Sequence, residues 1–145
     1  MTTFDRAWGL VKKPMYYHAT PEKNMGPIMH EGIKGRGDEV YASRNAEIAR
    51  NWIMLTNPGA EKILTLPFFR EEGDERMRPG QDHHPSILST LGFDPEKDAD
   101  DAAWTHQGTV PPNDIRWEEA RVHSNPLFNE AFASILMGGR RGEDE

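Results

Sequence analysis

Four short stretches carry side chains whose types could do chemistry. They are YYHAT with His18 and Thr20, VYAS with Tyr41 and Ser43, THQGT with His106 and Gln107, and PGQDHHP with Asp82, His83 and His84. Imidazole titrates near neutral pH, so His18 and His106 are candidates for proton transfer or for hydrogen bonding in either direction. Gln107 can hold a hydroxyl by hydrogen bond, but it carries no charge and cannot act as a base. Asp82 would supply a carboxylate if its loop swings inward. His83 and His84 beside it suggest a metal site, yet adjacent side chains on an extended chain point to opposite faces and chelate poorly unless the loop bends. His30, His106 and His123 lack ligand spacing, and without cysteine there can be no thiolate site, so no metal is expected. Each residue also has a plain structural reading. His18 would then be a satisfied histidine at a strand end, Tyr41 a core aromatic, Ser43 a helix N-cap and Gln107 an ordinary polar strand residue.

The elements that must position these residues follow from pattern. Residues 15–20, aromatic-rich, read as a strand. Pro21 can open a helix with Ile28, Met29 and Ile33 on its apolar side, and Gly32 is a plausible stop. VYAS is a short strand. Ser43 or Asn45 could cap the next helix, whose apolar positions Ala46, Ala49, Trp52 and Ile53 recur at helical spacing, and Asn57-Pro58-Gly59 ends it. KILTLPFF, residues 62–69, is the clearest strand. Residues 70–102 read as a long acidic loop with one helical turn at 85–91; a loop of this length is usually functional or mobile. Residues 103–108 and 115–122 look like two more strands joined by VPPND. Ser124-Asn125-Pro126 then starts a final helix with Leu127, Phe128, Ala131, Phe132 and Ile135 on one face, stopped by Gly138-Gly139. Strands without regular βα alternation indicate an α+β fold.

The chain has 145 residues, enough for one domain with a real core. We expect an irregular lead-in at 1–13, a single domain over 14–137 and a frayed tail at 138–145. Eleven prolines and thirteen glycines suit a loop-rich domain better than a helical bundle. The formal net charge of −7 argues against a general nucleic-acid surface, though not against a local basic pocket. No stretch has the length of a membrane span or the apolar core of a signal peptide, so no membrane partner and a cytoplasmic location are expected.

The ordered set Y-H-x-T around His18, V-Y-x-S around Tyr41, the helix after VYAS and the turn after Gln107 resembles the ADP-ribosyltransferase fold in its small microbial branch. The resemblance runs from about Tyr16 to Ile115. It implies two small, mostly antiparallel sheets forming a central cleft with flanking helices, and NAD as substrate in that cleft. It further implies that His18 hydrogen-bonds a ribose hydroxyl of NAD, that Tyr41 stacks on the nicotinamide, and that Ser43 and Thr20 line the pocket. His18 and Tyr41 should project from adjoining strands into a shared hollow. Breaking the nicotinamide–ribose bond develops positive charge, which a nearby carboxylate stabilises. In active members of the family a glutamate does this, and the aligned residue here is Gln107. The loss of one such electrostatic group typically costs ~10²–10³ in rate. His106 or a carboxylate such as Asp82 or Asp101 could compensate. Alternatively, the protein binds NAD or ADP-ribose without turnover.

Four functions therefore compete. One is transfer of ADP-ribose from NAD to a protein or nucleic-acid acceptor, with the 70–102 loop gating the site. The others are a non-catalytic NAD or ADP-ribose module, an RNA 2′-phosphotransferase-like enzyme relying on arginines and histidines, and an interaction protein. For the phosphate groups of NAD or RNA, Arg70, Arg76 and Arg78 are the candidates, although a solvated loop of mixed charge is the simpler reading of that cluster.

Overall fold

The computed structural model describes residues 15–35, 37–80, 92–94 and 102–128. The chain is α+β: strand β1 (Met15–Pro21), helix α1 (Met25–Glu31), β2 (Glu39–Ala42), helix α2 (Ala46–Thr56), β3 (Lys62–Phe69), β4 (Met77–Pro79), β5 (Trp104–Gln107) and β6 (Arg121–Ser124). Two three-stranded antiparallel sheets form, ordered β1-β3-β6 and β2-β5-β4.

β3 is central because it is buried on both faces. Ile63 through Phe68 are all buried, which a continuous apolar run permits and an alternating one would not. Its two faces go to different neighbours. Leu64, Leu66 and Phe68 join Tyr16 from β1 and Val40, Ala42 and Met77 from the second sheet in the main core. Ile63 joins Ala19, Ala49 and Met54 beneath α2. Truncating Leu66 to alanine would cost about 2–5 kcal/mol in lost transfer energy and cavity formation.

α2 begins where its cap dictates. The Asn45 carboxamide oxygen accepts from the backbone amides of Glu47 and Ile48, while the Ser43 hydroxyl accepts from the Asn45 amide. Its buried side chains are Ile48, Ala49 and Met54, with Ile53 packed alongside. The helix is thus rotated from the expected stripe, since Ile48 and Met54 take the interior while Ala46 and Trp52 are only half-buried. Gly32 stops α1 as expected, at φ +85, and a Cβ there would collide with the Val110 carbonyl.

Three expectations need correction. Residues 115–122 are not one strand. Ile115 makes a lone bridge to Phe68, Trp117–Glu119 form a 3-10 turn, and β6 starts only at Arg121. The turn is held by Arg116, whose Nε lies 2.7 Å from Glu119, and by the Trp117 indole donating to the Pro112 carbonyl. The 70–102 stretch is not all loop either, since β4 pairs with β5 along its outer edge, and its Pro79 sits where a proline does least harm. The expected helical turn at 85–91 and the body of the final helix lie outside the described residues. Asn125 does not open a helix in the described part. Its carboxamide donates to the carbonyls of Asn57 and Ala60, tying β6 to the end of α2.

Candidate functional site

The two sheets meet at β1 and β2 through a single bridge, Tyr17 with Ser43, bonded both ways at 2.7 and 3.0 Å. In a continued antiparallel ladder the next doubly bonded pair would be Ala19 with Tyr41. It does not form. The His18 imidazole takes the Tyr41 carbonyl instead, with Nδ1 at 2.7 Å. His18 is therefore the wedge at which one continuous sheet becomes two.

That hydrogen bond fixes the tautomer. Nδ1 carries the proton because a carbonyl can only accept, which leaves Nε2 with a lone pair in the neutral ring. Burial lowers the His18 pKa and outweighs the opposing bond to the Tyr41 carbonyl. Among the described residues no group pairs with Nε2, and it is not among the sealed unpartnered atoms. The imidazole meets Tyr41 at its main chain rather than its ring. Extending the Tyr17–Ser43 register pairs His18 with Ala42, so imidazole and phenol leave opposite faces of the backbone, and the shared hollow expected for the two rings does not form.

The second sheet has two unlike faces. Val40, Ala42, Met77 and His106 are buried on the inner one. Register places Glu39 opposite Gln107 and Tyr41 opposite Thr105, with Arg78 opposite Thr105 on the other side. Those five side chains share the outer face, all of them half-buried or exposed. Tyr41 and Gln107 are thus diagonal neighbours on one face. The Tyr41 hydroxyl donates to the Ala102 carbonyl at 3.1 Å, which fixes the ring along the sheet. The Gln107 carboxamide donates to the Thr105 hydroxyl at 3.3 Å.

His106, though adjacent to Gln107, belongs to the inner face and is 0% exposed. Its Nε2 accepts from Arg70 Nε and Nη2 at 3.2 and 3.1 Å, and its Nδ1–H donates to the Gly108 carbonyl at 2.9 Å. Only neutral imidazole can make this set. Its pKa is lowered, first by burial and further by the Arg70 and Arg76 charges. Arg70 in turn is 5% exposed and pairs with Asp114 at 2.9 Å.

The three candidate arginines separate. Arg70 is locked into the buried network, and Arg76 is bidentate on Asp74, whose carboxyl it holds well below the usual carboxylate range. Arg78 has no acidic partner among the described residues and shares the face of Tyr41 and Gln107. An open hollow of about 790 Å³ lies near Arg70, lined by Asp74, Arg76, Asp114, Arg116 and Glu118 among others. Its arginines are already paired with its acids, and it does not include His18, Tyr41 or Gln107.

Of the remaining candidates, Thr20 is buried and accepts from Asn24 at 2.7 Å. Ser43 is fully buried within the bridge, its hydroxyl accepting from the Asn45 amide, and Asp82 and Asp101 lie outside the described residues. Among the described residues no group of three histidines or acids is placed to hold a metal, and no helix is long and apolar enough to cross a membrane. Sequence reasoning missed Glu39, which only the β2–β5 register brings opposite Gln107. No family model matches the chain, and no curated protein matches it either.

Proposed function

We propose that this protein is a cytoplasmic ADP-ribosyltransferase that uses NAD to modify a protein or nucleic-acid acceptor. The observation that carries the proposal is the split between β1 and β2. His18 holds the split by one ring nitrogen and leaves the other without a partner among the described residues, while Tyr41 and Gln107 lie together on the other face of the adjoining strand.

In this reading the nucleotide crosses the strand edge at the split, so that Nε2 of His18 accepts from a ribose hydroxyl on one side of the β2 backbone and Gln107 holds a second one on the other. The Tyr41 ring offers its flat face to the nicotinamide, with its hydroxyl anchored on Ala102. Arg78 reaches a phosphate from the same face. The C–N bond between nicotinamide and ribose breaks with its electron pair leaving on the nicotinamide. The acceptor's nucleophile then bonds the ribose carbon and loses its proton to solvent or to a base. His106 and Arg70 support the sheet from behind.

The test is incubation of purified protein with NAD labelled in the adenosine moiety, with and without cell lysate. Transfer of label to macromolecules, abolished by His18→Ala, is expected. Folded protein that releases no nicotinamide and labels nothing would oppose it. The uncharged Gln107 favours one second reading, a module that binds NAD or ADP-ribose without turnover. Calorimetric binding with no nicotinamide release would select it.

A further inference from the structure

The geometry points to Glu39 as the carboxylate that Gln107 does not supply. This inference rests on the NAD reading of the site and assigns its missing charge.

Glu39 is directly opposite Gln107 across β2 and β5. The pair is of the non-hydrogen-bonded kind. The Gly108 amide bonds the Asp38 carbonyl at 2.5 Å one step outward, and the Gln107 amide turns the other way to the Arg76 carbonyl at 2.7 Å. In such pairs the side chains are closest, with Cβ atoms roughly 4.5–5.5 Å apart. A glutamate and a glutamine so placed can reach the same ribose from two sides. Both backbones are pinned at this point, so the pairing does not depend on a loose strand end.

The charge is available. Among the described residues no lysine or arginine pairs with Glu39. Asp74 and Asp114 are committed to Arg76 and Arg70 around the other hollow. Glu39 alternates with buried Val40 and so faces the same way as Tyr41, the proposed nicotinamide platform. Exposure weakens its field in the free protein, whereas bound NAD would displace water and strengthen it.

The chemical step balances without a further reagent. As the C–N bond breaks, positive charge grows on the ribose carbon and ring oxygen, and the Glu39 carboxylate faces it. The same carboxylate then takes the proton of the incoming hydroxyl or water as that oxygen bonds the ribose carbon. The products are nicotinamide and the ADP-ribosylated acceptor, or free ADP-ribose when water attacks.

The test uses the full chain as wild type, Glu39→Gln, Gln107→Glu and the double exchange, each measured for NAD affinity by calorimetry and for nicotinamide release. Glu39 is exposed and buries no partner, so Glu39→Gln should keep the melting temperature. The expected result is a drop of ~10²–10³ in nicotinamide release for Glu39→Gln at nearly unchanged NAD affinity, with partial recovery in the double exchange. Glu39→Gln turning over within about threefold of wild type, on a scale where one lost electrostatic group costs far more, would overturn the assignment. Wild type that binds NAD but releases no nicotinamide would also overturn it and leave the binding-module reading standing. Folded wild type that binds no NAD removes the reading on which the assignment rests.

Discussion

His18 and His106 are built alike and differ in one respect. Each donates Nδ1–H to a backbone carbonyl, of Tyr41 and Gly108 respectively, and each has its pKa lowered chiefly by burial. At His106 the second nitrogen is saturated by two Arg70 donors, and the ring is sealed against Phe68. At His18 no described residue takes it. A histidine with both nitrogens used inside the protein holds structure, whereas one with a nitrogen to spare at a split between sheets can hold a ligand. Residue type and strand position do not distinguish them; the partner of Nε2 does.

Among the polar contacts, breaking the His106 station should have the largest effect on stability. Arg70→Ala strands Asp114 and His106 and should cost about 3 kcal/mol, somewhat discounted because Asp114 is partly exposed; urea unfolding reads it. His106→Ala should cost about 2 kcal/mol by leaving two guanidinium donors unpaired in the interior. Asn45→Ala, which removes the α2 cap without removing a bond to either imidazole, should cost about 1 kcal/mol. His18→Ala should cost no more than about 1 kcal/mol, the value of one hydrogen bond, while removing NAD-dependent activity. A stability loss at His18 as large as that at His106 would erase the distinction between the two stations.

Acid sharpens the same contrast. Both rings have folded pKa values below the ordinary 6.5, so the unfolded chain binds more protons as pH falls through that value. Stability is therefore full above about pH 6.5 and declines below it. Measured by urea midpoints from pH 7.5 to 5, this slope should flatten in His106→Ala and flatten separately in His18→Ala. A wild-type midpoint independent of pH over that range would contradict the neutral tautomers at both sites.

Much of the frame was legible because it depends on local rules. KILTLPFF became β3 at the expected residues because an apolar run of β-formers suits a strand buried on both faces. Asn45 capped α2 and Gly32 ended α1 because those residue types answer specific backbone needs. The outer face of the second sheet was not legible. Its membership depends on the β2–β5 and β4–β5 registers, and slipping either strand by one residue would turn every side chain over. So Gln107 and His106 are adjacent in the chain yet face opposite ways. Glu39 is 68 positions from Gln107, and no local pattern marks the two as partners. β4 was missed because three residues ending in proline give too little pattern to read.

The most direct measurement is a calorimetric titration of NAD into the folded wild-type chain and into His18→Ala. Saturable binding by the wild type is expected and, in a variant of nearly unchanged melting temperature, a loss of affinity of at least about tenfold, as removal of a hydrogen bond to the ligand implies. Wild-type protein that shows no heat of binding, or a His18→Ala variant that binds NAD as tightly, would contradict it.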